Sequence, residues 1–383
     1  GPELGRMLGA RGAGQRDANE DAFVRLGDPG HPLSRPFGGK GFEYRDEFVR
    51  LQGPYARDRV RVLSSIDVPK TEQGKTDAKP FRKDNDYALA WVRRYGRGRV
   101  FYCTIGHNPH VFWDPKMLQF YLAAVQFAVG DLPAPTVPSA KLTPAVHARE
   151  KLGWRLGIEA YTFHKYTLFE AIDKTAQLGL AYMGGLSFQK VSKDIPRNFD
   201  PKLTDDELKQ VRLKLDSAGI TLLTCYIGRI PGDEAACRKV FEFGRKIGIE
   251  TFMSEPLPEA LDTIEKLCDE YDINVALHNH GRKASPLYWR PEGVLKVCQG
   301  RSKRIGAGAD LGYWMRAGID PIEAVKTLKD RLITLQMHDL NERTPEGHDV
   351  PWGTGAGRTE QFLREIHRLG IKPTMFGLEY SYD

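Results

Sequence analysis

Apolar and polar positions follow different patterns in the two parts of this 383-residue chain. In the first part, to about residue 130, short apolar runs typical of strands occur at 59–66, 88–93 and 99–105. The turn Tyr95-Gly96-Arg97-Gly98 separates the last two runs and favours a hairpin. A helix ending near Val129 is predicted next, with Asp114 as its N-cap and Pro115 at its first position. Residues 1–40 are rich in glycine and predict no regular element.

After a proline-rich stretch, strand-like and helix-like segments alternate with short turns. The strand-like runs lie at 156–163, 180–186, 221–227, 250–254, 274–278, 304–309, 332–338 and 373–379. Capping-box sequences at Thr167–Glu170 and Thr204–Glu207 mark two of the helix starts between them. Eight strands with intervening helices fit a (β/α)₈ TIM barrel. An open doubly wound sheet would place a glycine-rich phosphate loop after the first strand, and residues 161–164 do not form one.

These patterns predict a two-domain α/β chain. A smaller α/β domain occupies residues 1–130, residues 131–152 form a linker, and the barrel occupies residues 153–383. The sequence ends shortly after the eighth predicted strand, so we expect a barrel that lacks its last helix. The first two residues, Gly1-Pro2, resemble the remnant of a protease cleavage, which leaves a cytoplasmic or a periplasmic location open.

Charge and hydropathy narrow the choice of partners. The formal net charge is +6, and the basic residues are spread among acidic ones rather than clustered. We therefore expect no nucleic-acid partner. No apolar run approaches the roughly 18–20 residues that cross a bilayer, so no membrane partner is expected either. Whether the chain forms homo-oligomers stays open.

Polar residues end five consecutive predicted strands of the barrel. They are Ser254 and Glu255, then His278, Asn279 and His280, then Asp310, then His338 and Asp339, then Glu379. One such residue is usually a cap or a satisfied core group, but five strands in a row indicate a site, because these strand ends all face the active site of a barrel. Imidazoles mixed with carboxylates suit Mn²⁺, Co²⁺, Zn²⁺ or Mg²⁺. The sequence therefore predicts a divalent-metal site.

Four aromatic or imidazole side chains are candidates for substrate contact. Tyr161 and His164 follow the first strand, and Tyr313 and Trp314 follow the sixth. For Trp314 a place in the barrel core is the open alternative. The glycine-rich loop 350–357 precedes a helix and could offer backbone N–H groups to a phosphate or to hydroxyls, although it lacks the lysine of a P-loop.

The barrel segment resembles the xylose-isomerase-like superfamily of sugar isomerases, epimerases and inosose dehydratases, which also includes endonuclease-IV-like enzymes. The resemblance rests on Ser254-Glu255, His278-Asn279-His280-Gly281, Asp310-Leu311-Gly312-Tyr313-Trp314, His338-Asp339-Leu340 and Glu379. It implies that His278, Asp310, His338 and Glu379 bind the metal, with Glu255 as a further ligand or a base. Two departures stand out. Isomerases and epimerases of this kind commonly carry Glu in place of His278, and relatives often carry His in place of Tyr313.

Residues 31–130 resemble the C-terminal half of ThuA-like (trehalose-utilisation) domains. The matching stretches are His31-Pro32, Asp46-Glu47-Phe48, 60–66, Ala90-Trp91-Val92, 95–102 and Gly106-His107-Asn108. The first half of that fold, with the region of a nucleophile elbow, has no counterpart. We therefore expect this domain to be non-catalytic. The association of ThuA-like domains with carbohydrate use agrees with a carbohydrate as the partner of the barrel, but only by analogy.

Together the residues and the resemblance predict enolisation of a keto-sugar, followed by elimination from a 3-keto-glycoside or an inosose-like ring. Glu255 or Glu379 would remove the α-proton, and His280 would protonate the leaving oxygen. We expect Glu255 to be the more mobile base, because it lies at a strand edge. Sugar isomerisation or epimerisation is the alternative, with phosphodiester cleavage at abasic DNA and a non-enzymatic, metal-containing carbohydrate-binding protein as further rivals.

Overall fold

The computed structural model describes residues 2–71, 82–96 and 98–381. The chain divides into two units, residues 1–143 and residues 144–383. The division falls inside the segment 131–152 that we predicted as a linker, and that segment contains a 3₁₀ turn and a helix. Arg97, in the predicted hairpin turn, lies outside the described residues.

The first unit is built on an antiparallel sheet. Strands β1–β7 are Arg11–Gly14, Glu20–Leu26, Phe42–Asp46, Arg50–Gln52, Arg61–Ile66, Ala88–Tyr95 and Gly98–Cys103. Helices α1–α3 are Pro2–Leu8, Val68–Thr71 and Pro115–Val129, and 3₁₀ turns lie at Pro32–Phe37, Pro109–Trp113 and Ser139–Lys141. Five strands pair in the order β3-β2-β5-β6-β7, while β1 pairs with β4. Phe120 and Phe127 of α3 are buried in the core of this unit.

The predicted hairpin and helix of this unit are confirmed. β6 and β7 pair up to Tyr95 and Gly98, and the Asp114 carboxylate accepts the N–H groups of Lys116 and Met117 at the start of α3. The elements before residue 53 were not predicted. Strand β3 alternates between half-buried and exposed positions and therefore carries little apolar signal.

The imidazole of His31 is buried, with His31 only 1% exposed. Its Nε2 donates to the Pro135 carbonyl at 2.9 Å, and its Nδ1 accepts the Leu33 N–H at 3.3 Å. These two bonds require the neutral imidazole, because a protonated Nδ1 could not accept. Burial, with a smaller effect of the nearby Arg61, lowers the pKa of His31 to about 4, although the hydrogen bond to Pro135 and the charge of Asp28 act in the opposite direction.

Acid should therefore weaken the first unit through His31. Between pH 6.5 and 4 the unfolded chain binds a proton that the folded chain does not, so the free energy of unfolding should fall by up to about 3 kcal/mol across this window. His31→Gln should remove that part of the pH dependence, measured by calorimetry of the full chain at several pH values. His107→Gln, at an exposed imidazole, is the control and should keep the original slope. An unchanged slope in His31→Gln would contradict the assignment.

The second unit is a closed barrel of eight parallel strands. Strands β8–β15 are Leu156–Glu159, Tyr182–Leu186, Thr221–Tyr226, Thr251–Ser254, Asn274–His278, Ile305–Asp310, Leu332–Met337 and Phe376–Leu378. Helices α4–α12 are Pro144–Leu152, Leu168–Gln177, Asp205–Ala218, Glu234–Ile247, Leu261–Tyr271, Pro291–Cys298, Leu311–Arg316, Pro321–Leu328 and Thr359–Arg368. Further 3₁₀ turns lie at Ala160–Phe163 and Pro258–Ala260. β15 pairs with β8 and closes the barrel.

The predicted barrel is confirmed, with each strand at or close to its expected position. Both capping boxes form: the Thr167 and Thr204 hydroxyls accept the N–H groups of Glu170 and Glu207. Gly219 ends α6 with a φ of 66°, a conformation that favours glycine. Among the described residues, no helix is both long and apolar enough to span a membrane.

Candidate active site

Three of the expected metal ligands meet at the carboxyl end of the barrel strands. Asp310 ends β13, and His338 and Glu379 directly follow β14 and β15. All three side chains are buried. His338 Nε2 lies 3.6 Å from Asp310 Oδ2 and 3.6 Å from Glu379 Oε1. Their ligand atoms all lie within 4.8 Å of one another, and we call these three residues the triad.

The imidazole of His338 is oriented by Asp349, a residue that the sequence analysis did not identify. His338 Nδ1 lies 2.7 Å from Asp349 Oδ1, and the Ser381 N–H donates to the other oxygen of this carboxylate. When Nδ1 carries its only proton, as it would with a cation bound, His338 directs its Nε2 lone pair towards the two acids. Burial by itself would lower the pKa of His338, but Asp310, together with Asp349 and Glu379, raises this pKa well above its usual value.

Asp310 is held from both its backbone and its side chain. Its backbone N–H donates to the Asn279 amide oxygen at 2.8 Å, and Asn279 Nδ2 donates to the Asp310 carbonyl at 2.9 Å. The Asp310 carboxylate also accepts the Tyr313 N–H and so caps α10. Burial would raise the pKa of Asp310, but His338 and His278 hold this pKa below its usual value. The carboxylate is therefore ionised and fixed.

His278, the fourth expected ligand, lies beside the triad without presenting a free nitrogen to it. Gln336 Nε2 donates to Glu379 at 3.1 Å, so the Gln336 amide oxygen faces His278. His278 Nε2 therefore donates to that oxygen, at 2.6 Å, and lies 3.9 Å from Asp310 Oδ2. Gln336 was missed by the sequence analysis, although it precedes His338 by two residues and so lies on the same face of the chain.

Glu255 and His280 form a second group with His278. His280 Nδ1 is hydrogen-bonded to Glu255 Oε1, and the Tyr226 hydroxyl donates to the same oxygen at 3.2 Å. His278 Nδ1 lies 3.5 Å from this carboxylate, at ion-pair rather than hydrogen-bond distance. Burial would raise the pKa of Glu255, but His278 and His280 hold this pKa below its usual range.

The structure does not support the expectation that Glu255 is mobile. Its side chain is only 14% exposed, and its carboxylate has the partners just described. Its backbone is fixed as well, because the Glu255 N–H donates to the Gly228 carbonyl and the Tyr288 hydroxyl donates to the Pro256 carbonyl. A strand edge at a barrel end is packed by the loops of its neighbours, which sequence alone does not show.

A further buried acid, Glu159, ends β8 and was also missed. It is 2% exposed, and its Oε1 has no hydrogen-bond partner among the described residues. A Cβ added at Gly184 or Gly377 would lie 1.9 Å or 2.2 Å from its carboxylate oxygens, so these glycines make the space that Glu159 fills. Burial, with Glu379 and Asp310 nearby, raises the pKa of Glu159 well above its usual value. We predicted this strand to extend to residue 163, which placed Glu159 inside it, whereas the strand ends at Glu159.

A cavity of about 160 Å³ opens above the triad. The lining residues are Tyr161, Leu186, Phe188, Tyr226, His278, His280, Asp310, Tyr313, Gln336 and Glu379. Tyr161 and Tyr313 thus lie where a substrate contact was expected.

The other two expected substrate contacts lie away from the cavity lining. His164 stacks on Tyr161, with ring centroids 4.8 Å apart, and its Nδ1 is bonded to the Tyr161 carbonyl. Trp314 is 1% exposed and belongs to the barrel core, because α10 turns it inward. For Trp314 the core alternative is therefore correct.

The glycine-rich loop does not offer its N–H groups to a ligand. The Asp339 carboxylate accepts the N–H groups of Gly353, Gly355 and Gly357 at 2.8, 3.0 and 2.9 Å. The expected anion cradle is therefore occupied by a carboxylate of the same chain. This arrangement fixes the loop beside His338.

A comparison with protein-family models gives a match to the first part of the chain. Residues 3–128 match the family model of ThuA, described as trehalose utilisation, which confirms the resemblance of the first part. A search of curated proteins gave no match.

Two solved structures are similar to part of the chain at low sequence identity. The 3-keto-D-glucoside 4-epimerase YcjR from E. coli is 11% identical, covers 60% of this chain and 91% of its own, and gives a TM-score of 0.45. A xylose isomerase domain containing protein from Salmonella typhimurium LT2 is 13% identical over 59% of this chain and 88% of its own, with a TM-score of 0.43.

A third solved structure is much more similar in sequence. It is an uncharacterized protein from Parabacteroides distasonis ATCC 8503, 33% identical, covering 59% of this chain and 90% of its own, with a TM-score of 0.48. The chain therefore joins a ThuA-family segment to an eight-stranded parallel barrel, and it belongs to the same family as this Parabacteroides distasonis protein.

Proposed function

We propose that the chain is a metal-dependent enzyme that enolises a keto-sugar and expels a β-substituent from it. The observation that carries the proposal is the juxtaposition of two groups at one end of the barrel. One is the buried triad of Asp310, His338 and Glu379, and the other is the hydrogen-bonded pair of Glu255 and His280. Cation-binding ligands beside an acid–base pair suit the removal of a proton next to a carbonyl.

The triad fits a divalent cation. At a metal–ligand distance of about 2.1 Å, neighbouring donors lie roughly 3–3.5 Å apart, close to the 3.6 Å between His338 Nε2 and each carboxylate. The bond to Asp349 leaves this Nε2 free to ligate, as outer partners of metal-binding histidines commonly do. His278 could join as a fourth ligand only by giving up its bond to Gln336. The bound cation would polarise the ketone and stabilise negative charge on its oxygen.

Proton transfer falls to Glu255 and His280. Glu255 is ionised, because its partners hold its pKa low, and only an ionised carboxylate can accept the proton next to the ketone. As that C–H bond breaks, a C=C bond forms and the β C–O bond breaks, and His280 gives a proton to the leaving oxygen. Nδ1 of His280 already carries the proton of its hydrogen bond to Glu255, so both groups are restored through solvent, which takes the proton from Glu255 and returns one to Nε2 of His280.

A base and an acid on the same side of the cavity favour elimination over epimerisation. Epimerisation needs a second group that returns a proton to the opposite face of the carbon. The expected counterpart, Glu379, belongs to the triad and accepts a hydrogen bond from Gln336. It is therefore committed to binding rather than to proton transfer.

Removing divalent metal should abolish activity. We expect chelated protein to lose α-proton exchange into D₂O and formation of the unsaturated product with a 3-keto-glycoside, and Mn²⁺ or Co²⁺ to restore both. Mass spectrometry measures the exchange and the product, and elemental analysis measures the metal. Full turnover by metal-free protein would contradict metal dependence, and sugar binding without exchange would indicate a binding protein.

Substitutions of Glu255 and Glu379 should affect different properties of the protein, namely turnover and metal content. Glu255→Gln keeps the shape but removes the base, so turnover should fall roughly 10²–10⁴-fold while metal content stays unchanged. Glu379→Gln should instead lower metal content. Glu259→Gln, at an exposed position on the following turn, is the matched control and should alter neither. Metal loss in Glu255→Gln together with metal retention in Glu379→Gln would reverse the two roles.

A further inference from the structure

The cavity above the triad is small for the class of substrate proposed. Its volume of about 160 Å³ lies below the roughly 300–1,000 Å³ of sites that enclose drug-sized ligands. A single sugar ring fills such a space. If the substrate is a glycoside, its second ring must lie outside the cavity, at the rim.

The rim carries aromatic rings that are held in place although they are exposed. Phe188, which follows β9, lines the cavity and is 51% exposed, and Tyr161 lines it and is 39% exposed. Gln189, the residue after Phe188, is buried, and its Nε2 donates to the carbonyls of Phe163 at 3.1 Å and Tyr166 at 2.9 Å. These bonds tie the loop of Phe188 to the loop of Tyr161.

Exposing a Phe ring to water is unfavourable, and fixing its loop by buried hydrogen bonds gives a preorganised apolar surface. Sugar rings present C–H groups on their faces, which pack on aromatic rings. Phe188 also contacts Tyr226, with centroids 6.4 Å apart, so the aromatic surface runs from the rim to the second group.

Positive charge is scarce in this cavity. Among its described lining residues, the imidazoles of His278 and His280 are the groups that can become cationic, and no Lys or Arg is present. A phosphate ester would normally be recognised by an arginine or a lysine. The lining therefore suits an uncharged sugar.

We propose that the substrate is an uncharged glycoside of two rings, whose keto ring enters the cavity and whose second ring stacks on Phe188. This rests on the proposed function for the chemistry, but the stacking surface is a separate feature of the rim. Binding and turnover therefore test the two proposals separately.

The experiment compares three probes with the metal-loaded full chain: 3-ketoglucose, 3-ketotrehalose and 3-ketoglucose 6-phosphate. Phe188→Ala should lower kcat/KM and binding affinity for 3-ketotrehalose roughly tenfold more than it lowers those for 3-ketoglucose. Tyr166→Ala removes an aromatic ring of similar exposure that does not line the cavity. This control should leave kcat/KM and binding affinity unchanged for both the one-ring and the two-ring probe. The phosphorylated probe should be the poorest substrate.

Equal losses for the one-ring and two-ring probes in Phe188→Ala, or no loss for either, would overturn the stacking proposal. A preference for the 6-phosphate would overturn the uncharged class. If no probe is turned over or exchanges its α-proton, the proposed function fails. In that case a selective loss of 3-ketotrehalose binding in Phe188→Ala, measured by calorimetry, would still support the stacking surface.

Discussion

Burying several carboxylates at one end of the barrel is the constraint on which the site depends. Glu159, Asp310 and Glu379 are each less than 10% exposed, and an ionised carboxylate out of water is strongly disfavoured unless it is paired. The chain meets this demand in different ways. Glu159 is driven towards its neutral form, whereas Asp310 stays ionised against His338. The same demand makes the triad a favourable place for a cation.

Local signals explain why the barrel could be predicted in detail. Each strand is a short apolar run, and capping residues such as Thr167 and Thr204 form bonds within four residues of the chain. Strand ends then place their polar residues together through the topology alone. The first unit was harder to predict, because strands such as β3 have an exposed face and pair with partners that no local signal specifies.

Some residues of the candidate site were predictable from the sequence, but the way in which they pair was not. Sequence placed Asp310, His338 and Glu379 together, and the structure does the same. It could not show that Gln336 engages His278, because the direction of that bond depends on which way a side-chain amide turns. Nor could it show Asp349, which reaches His338 from a loop rather than from a strand end. Pairing is set by packing in three dimensions, and strand order alone does not determine it.

His278 makes the two groups of the site depend on each other. Its Nε2 side is bonded to Gln336, which in turn donates to Glu379, whereas its Nδ1 side faces Glu255. Burial would lower the pKa of His278, yet the carboxylates around it, Glu255 first, raise this pKa. An imidazole shared in this way transmits the charge state of one group to the other. His278 therefore lies between the triad and the pair of Glu255 and His280, so under the proposed function it stands between the metal ligands and the groups that transfer protons.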